Sequence, residues 1–220
     1  MAFTNPTAPN ITDFATYVAN QGVPSTDLPS GTLTGVSIDT SGNLTATASS
    51  GTVAVGMVLV GTGIAASTYL NTWNGTSLTG TVSIAPTVAI TGLSSVSVLS
   101  QYLQWAFTHA TSVTLIPPGD MPPILYVLAC YNVGMHQLLK IAQDQSGQSF
   151  FQSQRTSYSL LSFVAGPVIS SQDNGTGQTL AEPEFLKGLT VSDLDLLKTP
   201  WGREYLSYSQ QYGSTIVGVS

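Results

Sequence analysis

The side chains of this sequence that could do acid–base or metal chemistry are few and widely separated. His109 and His136 are its two histidines, and neither stands in a metal-ligand spacing such as His-Glu-x-x-His. We interpret His136 as a hydrogen-bonded interior or interface histidine rather than a ligand. The sequence therefore predicts neither a metal site nor a histidine-based active site.

The remaining candidates for catalysis are acidic residues and one cysteine. Four acidic residues are close enough in sequence to pair for general acid–base work, namely Glu182, Glu184, Asp193 and Asp195. Their spacing fits an exposed helix face or a helix N-terminus better. Cys130 lies in the apolar run ILYVLACYNV, which favours a small core hydrophobe over an activated thiolate. We therefore expect no enzymatic activity and no cofactor.

Charge is scarce in this chain and unevenly placed. Charged residues make up 7% of the 220 residues, against about 25% in an ordinary globular domain. No Lys or Arg precedes Lys140. Because nucleic-acid binding needs a basic patch, we expect no direct nucleic-acid contact. A surface so poor in charge predicts a protein covered by copies of itself or by partners.

The composition changes twice along the chain and divides it into three segments. Residues 1–30 are an N-terminal arm with one short predicted helix, TDFATYVANQ, capped by Thr12. Residues 31–97 are about half Gly, Ser and Thr; short β-branched runs cut by turn dipeptides predict a small antiparallel β-domain there. Residues 98–220 are predicted to be mostly helical, beginning with an apolar stripe of Val98, Tyr102 and Trp105.

The strongest predicted helix opens at Pro122-Pro123 and runs to about Asp144, because proline suits a first helical turn. Its apolar start raises the alternative of a transmembrane span, but polar residues interrupt it before about 20 uncharged residues accumulate. We therefore predict a helix buried in a bundle or between subunits, and no membrane association. The side chains expected to be most buried are Leu125, Leu128, Val133, Leu138 and Ile141.

The C-terminal part is predicted to mix extended and helical structure. A polar linker, QDQSGQSFFQSQ, precedes an extended or hairpin-like segment at about residues 160–182. LTVSDLDLLK predicts a short helix, and Thr199-Pro200 starts a last helix that stops at Gly213. Residues 213–220 then form an extended tail.

The stretch LKTPWGREYL concentrates two of the five Lys and Arg residues. Trp201 offers a large amphipathic contact of the kind that interfaces favour, and Gly202 permits a close backbone approach. Lys198 and Arg203 can pair with acidic residues such as Asp193, Asp195 or Glu204, within or between subunits. The alternative is an ordinary capped helix with a core tryptophan.

The order of these features resembles a family of tailed-bacteriophage neck proteins, the head-completion or head-to-tail adaptor (connector) subunits under the portal. The features that carry the resemblance are SQYLQWAF, GDMPPILYVLACYNVGMHQLL, GPVISSQDNGTGQTL and TPWGREYL. TPWG is the most specific of them. The resemblance covers residues 98–220 and, more loosely, FATYVANQGVP. Residues 31–97 depart from it as an insertion, similar to Thr/Gly-rich β-modules of phage structural proteins.

The resemblance implies an α+β fold: a small adaptor-like helical bundle with the inserted antiparallel β-domain and an extended C-terminal tail. It implies a bacteriophage virion structural protein, made in the host cytoplasm, that forms a ring joining the portal protein to the tail or to further neck proteins. The ring would be a homo-oligomer, a dodecamer like the portal. The expected portal and subunit interface comprises Trp201, Arg203, Tyr205, Tyr212, Ile216, Val217 and Val219.

A function of a different class stays open at this point. The β-insert of residues 31–97 is also consistent with a surface-display or host-binding module of the virion, for which the helices serve as the anchor. A ring in solution or on added portal favours the adaptor. Binding of the insert to a glycan or cell envelope favours the display module.

Overall fold

The structure, a computed structural model, describes residues 3–114, 116–162, 170–173, 176–179 and 190–212. Within these residues the chain forms six α-helices and eleven strands. The strands build two antiparallel sheets and a separate two-stranded hairpin. The expected mixed α and β class is therefore confirmed, while the predicted tail at 213–220 lies outside the described residues.

The first nine strands lie in the Gly-, Ser- and Thr-rich part of the chain. They are β1 Gly31–Thr34, β2 Val36–Ile38, β3 Asn43–Thr45, β4 Ala48–Gly51, β5 Val58–Val60, β6 Leu70–Asn74, β7 Thr79–Val82, β8 Ile90–Leu93 and β9 Val96–Leu99. One sheet has the strand order β4-β1-β9-β5 and the other β6-β7-β3-β2-β8. Strand β9 extends beyond the predicted boundary at residue 97, because Val98 and Leu99 pair with β1 and β5.

These two sheets enclose an apolar core of their own. Its buried side chains are Leu33, Val36, Ile38, Leu44, Met57, Leu59, Leu70, Val82, Val96 and Val98. Because side chains alternate across a strand, Val96 and Val98 point inward while Ser97 between them is partly exposed. Asp39 is the single charged residue from 31 to 99, so the outer surface of both sheets is almost uncharged.

The helices are α1 Ile11–Asn20, α2 Gln101–Val113, α3 Pro123–Ile141, α4 Phe150–Ser157, α5 Val191–Leu196 and α6 Pro200–Tyr212. Asn10, and not the predicted Thr12, caps α1: its side chain accepts the N–H of Asp13 at 2.8 Å. The hairpin pairs β10 Ser170–Asp173 with β11 Thr176–Thr179, inside the segment expected to be hairpin-like.

Helix α4 was not predicted, because its first residues were interpreted as a polar linker. That interpretation is wrong. Phe151 is fully buried in the helical core. The Asp144 carboxylate accepts the N–H groups of Phe151 and Gln152 at 2.6 and 2.8 Å, so it satisfies the free donors at the helix start.

Helix α3 forms the centre of the helical core, and every residue from Ala129 to His136 is buried. Val133 and Leu138 are buried as predicted. Leu125, Leu128 and Ile141 are only partly buried. Leu125 and Ile141 lie in the end turns of the helix, whereas Leu128 lies on a less covered side, between the buried Val127 and Ala129. Of the described helices, α3 has the length and composition to cross a membrane, and 61% of its apolar window is buried in the protein. The core helix of a bundle meets the same two criteria.

Candidate functional site at the junction of helices α3, α5 and α6

The sequence Thr199-Pro200-Trp201-Gly202 joins α5 to α6. The Thr199 hydroxyl accepts the N–H of Gly202 at 3.0 Å, so Thr199 caps α6 as predicted. A Cβ built on Gly202 would lie 2.0 Å from the carbonyl oxygen of Leu196. The predicted close backbone approach is therefore confirmed, and both backbones belong to the same chain.

Replacing Gly202 with alanine is expected to lower the free energy of unfolding by about 2–3 kcal/mol, the cost of overpacking against an immobile group. The clash is with backbone, so no side-chain rotation relieves it. Urea denaturation followed by circular dichroism measures the loss. Gly119→Ala is the matched control, since no atom lies within 4 Å of the added methyl there. Equal stability of the two variants would contradict the packing argument.

His136 connects α3 to this junction. Its ring is buried, with 3% of the residue exposed. Nδ1 lies 2.9 Å from the Thr199 hydroxyl, and Nε2 lies 3.4 Å from the Asp195 carboxylate. Because the carboxylate can only accept, this geometry places the ring proton on Nε2, and Nδ1 accepts the hydroxyl proton of Thr199. His136 is thus a hydrogen-bonded interior residue, as predicted.

Asp195 also holds two lysines. Lys140 donates directly to its carboxylate, and the Lys198 ammonium lies 3.3 Å from the other carboxylate oxygen. Lys198 further donates to the backbone carbonyl of Ser162 at 2.7 Å. The predicted pairing of Lys198 with Asp195 is confirmed within one chain. Asp193 has a different role, because it forms a capping box with Thr190 at the start of α5.

Burial and charge set the protonation of this cluster. The pKa of His136 is lowered from 6.5 to about 4, first by burial and then by the charge of Lys140, while Asp195 opposes both. Burial alone would raise the pKa of Asp195, but the hydrogen bond and the charge of Lys140 lower it overall. At neutral pH a neutral imidazole therefore lies beside an ionised carboxylate that is paired with two ammonium groups.

The order carboxylate, imidazole, hydroxyl is that of a hydrolytic triad. A cavity of about 680 Å³ borders His136, Lys140 and Asp195. Thr199, however, does not line this cavity and is fully buried, and its hydroxyl is engaged with both His136 and Gly202. No substrate atom can reach it. Among the described residues no group of three His, Cys, Asp or Glu side chains could hold a metal ion. The cluster holds α3, α5 and α6 together, and its Thr199 hydroxyl is not accessible from the cavity.

The expected interface residues of α6 differ in exposure. Trp201 is partly buried; its ring packs edge-on against Tyr158, and its Nε1 donates to Gln21 at 3.1 Å. Tyr205 is buried in a cluster between α2, α3 and α6. Arg203 is exposed and donates to the Leu197 carbonyl at 3.1 Å.

These contacts agree with the alternative of a capped helix with a packed tryptophan, because Trp201 and Tyr205 contact the core of their own chain. Tyr212 is partly buried against the same cluster as Tyr205. The exposed Arg203 is accessible to a partner. Ile216, Val217 and Val219 lie outside the described residues, so the role of these positions in an interface stays a prediction.

One contact of the site, and the environment of one aromatic residue outside it, escaped the sequence analysis. The contact of His136 with Thr199 joins residues that are far apart in sequence, and the only signal for it was a polar ring in an apolar helix. Trp105 was predicted to lie in an apolar stripe with Val98 and Tyr102, and that prediction is wrong. Val98 belongs to β9, and Trp105 is 53% exposed.

Comparison with known proteins gives no further identification. No family model matches the chain, and neither a curated protein sequence nor a solved structure matches it.

Proposed function

We propose that the protein is a virion structural protein, the subunit of a neck adaptor ring that connects the portal of a tailed bacteriophage to its tail. The proposal rests on the resemblance of residues 98–220 to adaptor subunits and on the properties of the described surface. In this proposal the C-terminal tail contacts the portal, and the sides of the helical part, residues 98–212, contact neighbouring subunits of the ring.

One observation carries the proposal beyond resemblance: Lys140, Arg155 and Lys198 each pair with a carboxylate of the same chain, while Arg203 is exposed. Lys140 and Lys198 contact Asp195. Arg155 lies 3.7 Å from Asp144 and donates to the carbonyl of Leu139.

The rest of the described surface carries little charge, since charged residues make up 7% of the chain. Burying such a surface against a copy of itself removes few charges from water and creates little like-charge repulsion. Such a surface is compatible with a ring of many identical subunits. Because the same surface carries little charge, electrostatic repulsion does little to keep free monomers apart.

Ring formation is the direct test. Purified protein, alone and with portal rings of the same phage, would be examined by light scattering and negative-stain electron microscopy. We expect a closed ring, twelve-fold on the portal. A monomer at high concentration that also fails to bind portal rings would exclude the adaptor.

The tail is expected to make the portal contact. The uncharged segment STIVGVS reaches about 23 Å when extended, at about 3.3 Å per residue, and its apolar side chains would be buried by strand addition to a portal edge. Truncation after Gly213 should abolish portal binding and leave the helical circular dichroism unchanged.

A full-length variant separates the chemistry of the tail from its length. Serine at Ile216, Val217 and Val219 should weaken portal binding as strongly as truncation, whereas Ser214→Ala should not. Undiminished binding by the truncated protein would favour a tail that folds back on its own helix.

The second candidate function, a surface-display or host-binding module, is favoured by the separate apolar core of β1–β9. It predicts that the virion attaches to host envelope through this part of the chain. A virion whose protein lacks the two sheets would then assemble normally but adsorb poorly, whereas loss of the adaptor would stop assembly.

A further inference from the structure

A groove lies between helix α2 and the chain around strands β5 and β6. Its volume is about 700 Å³, inside the range of about 300–1,000 Å³ that is usual for small-molecule sites. Helix α2 provides one wall. Gly56, Ser67 and Tyr69 belong to the other. The groove is thus formed jointly by the sheet and helical parts, on a side of α2 away from the core.

One face of α2 is directed into this groove. Gln101, Gln104, Trp105 and Thr108 line it, and their spacing of three and four residues places them on a single helix face. The opposite face of α2 supplies the buried contacts to the core. The residues of the groove face are therefore not required for packing of the helix.

Two aromatic rings in the groove are left in contact with water. Trp105 is 53% exposed and Tyr69 is 46% exposed. Tyr102 meets Trp105 edge-on, with 5.6 Å between ring centroids, which restricts the orientation of the indole. Rigid aromatic rings offer a flat apolar surface at little conformational cost. A ligand with a flat apolar face would cover them.

The polar side-chain groups of the groove are hydroxyls, amides, one indole N–H and one imidazole, and its described lining contains no carboxylate, ammonium or guanidinium group. Gln104 donates to the Thr108 hydroxyl at 2.9 Å, which holds both side chains in place. Burial, and then the charge of Lys140, lower the pKa of His109 below 6.5, so this imidazole is neutral at neutral pH. The groove therefore matches an uncharged ligand that carries several hydroxyl groups.

The backbone opposite α2 is held in an unusual conformation. Ser67 has φ 61°, which is uncommon for a residue other than glycine, and such strain concentrates at binding sites. Gly56 has φ 84°, and a Cβ built on it would lie 3.4 Å from the side-chain oxygen of Gln101. The loop backbone thus comes close to the amide that would contact a ligand.

We propose that this groove binds a neutral saccharide. A pyranose ring would pack its C–H face on Trp105, and its hydroxyl groups would hydrogen-bond to the amides of Gln101 and Gln104. An anionic ligand would find no cation in the described lining. An apolar helix would bury these amides without partners, which is costly. The site is independent of the adaptor function proposed above.

The test uses the full-length protein and four neutral hexasaccharides: maltohexaose, cellohexaose, chitohexaose and mannohexaose. Binding is measured by calorimetry and by tryptophan fluorescence. We expect saturable binding of at least one of them. Trp105→Ala should weaken it at least tenfold. Gln104→Leu, which keeps the side-chain size, should weaken it severalfold.

Trp73→Phe is the control, because Trp73 lies in β6 and outside the groove. The affinity of this variant for the sugar should equal that of the parent protein. Each variant is first shown to keep the parent melting temperature. Failure of all four sugars to bind would overturn the proposal. So would sugar binding that survives Trp105→Ala. Loss of ring formation in Trp105→Ala would assign the groove to contact between copies and would likewise overturn it.

Discussion

Replacing Thr199 with alanine is expected to lower the free energy of unfolding by about 2–4 kcal/mol at neutral pH. The variant loses the N-cap of α6, worth about 0.5–2 kcal/mol. It also leaves the buried Nδ1 of His136 without its partner, and an unsatisfied buried polar group costs about 1–3 kcal/mol. Urea denaturation followed by circular dichroism gives the difference.

Thr199→Ser is the control for this prediction, because serine keeps the hydroxyl and removes only a methyl group. We expect it to cost less than about 1.5 kcal/mol, the scale of one deleted buried methyl. If the serine and alanine variants lose equal stability, the hydroxyl does not connect α3 to α6, and the effect comes from packing alone.

Acidification is expected to destabilise the protein through His136 by about 3 kcal/mol. The pKa of His136 is about 4 in the folded state, against the ordinary 6.5. The unfolded chain therefore binds the proton at a higher pH than the folded chain. The stability is fully present above about pH 6.5 and is lost as the pH falls to about 4. Each pKa unit corresponds to about 1.4 kcal/mol.

The measurement is the free energy of unfolding at several pH values between neutral and about pH 4.5. His136→Gln removes the titrating ring, so its stability should be lower at neutral pH but should change less with pH. His109→Gln is the comparison variant. The pKa of His109 is lowered as well, but the residue is exposed on α2, so the variant should keep most of the parent slope. A parent slope retained in His136→Gln would assign the acid sensitivity to the carboxylates instead.

Local signals in the sequence predicted the starts of the main helices. Pro123 opens α3 and Thr199 caps α6, because proline and hydroxyl side chains act on the backbone within a few residues. The strands of residues 31–97 were predictable for the same reason, since turn dipeptides and β-branched runs favour turns and strands in the residues where they occur. Only the end of that segment was misplaced, because the pairing of β9 depends on strands far away in the chain.

The buried faces were predicted less well. Two of the five side chains expected to be most buried in α3 are buried, and the other three are partly buried. Phe151 and helix α4 were missed, since the polar residues around Phe151 conceal a contact that only the assembled core provides. A residue's burial depends on which elements cover it, and the sequence of one helix does not contain that information.

The sequence by itself thus determined the mixed α and β class, the scarcity of charge, and the capped start of α6, because each follows from composition or from neighbouring residues. Only the tertiary structure decided that His136 meets Thr199 and Asp195, and that Trp105 faces a groove instead of the core. Both depend on how α2 and α3 are rotated against distant elements. Packing of the whole molecule sets that rotation.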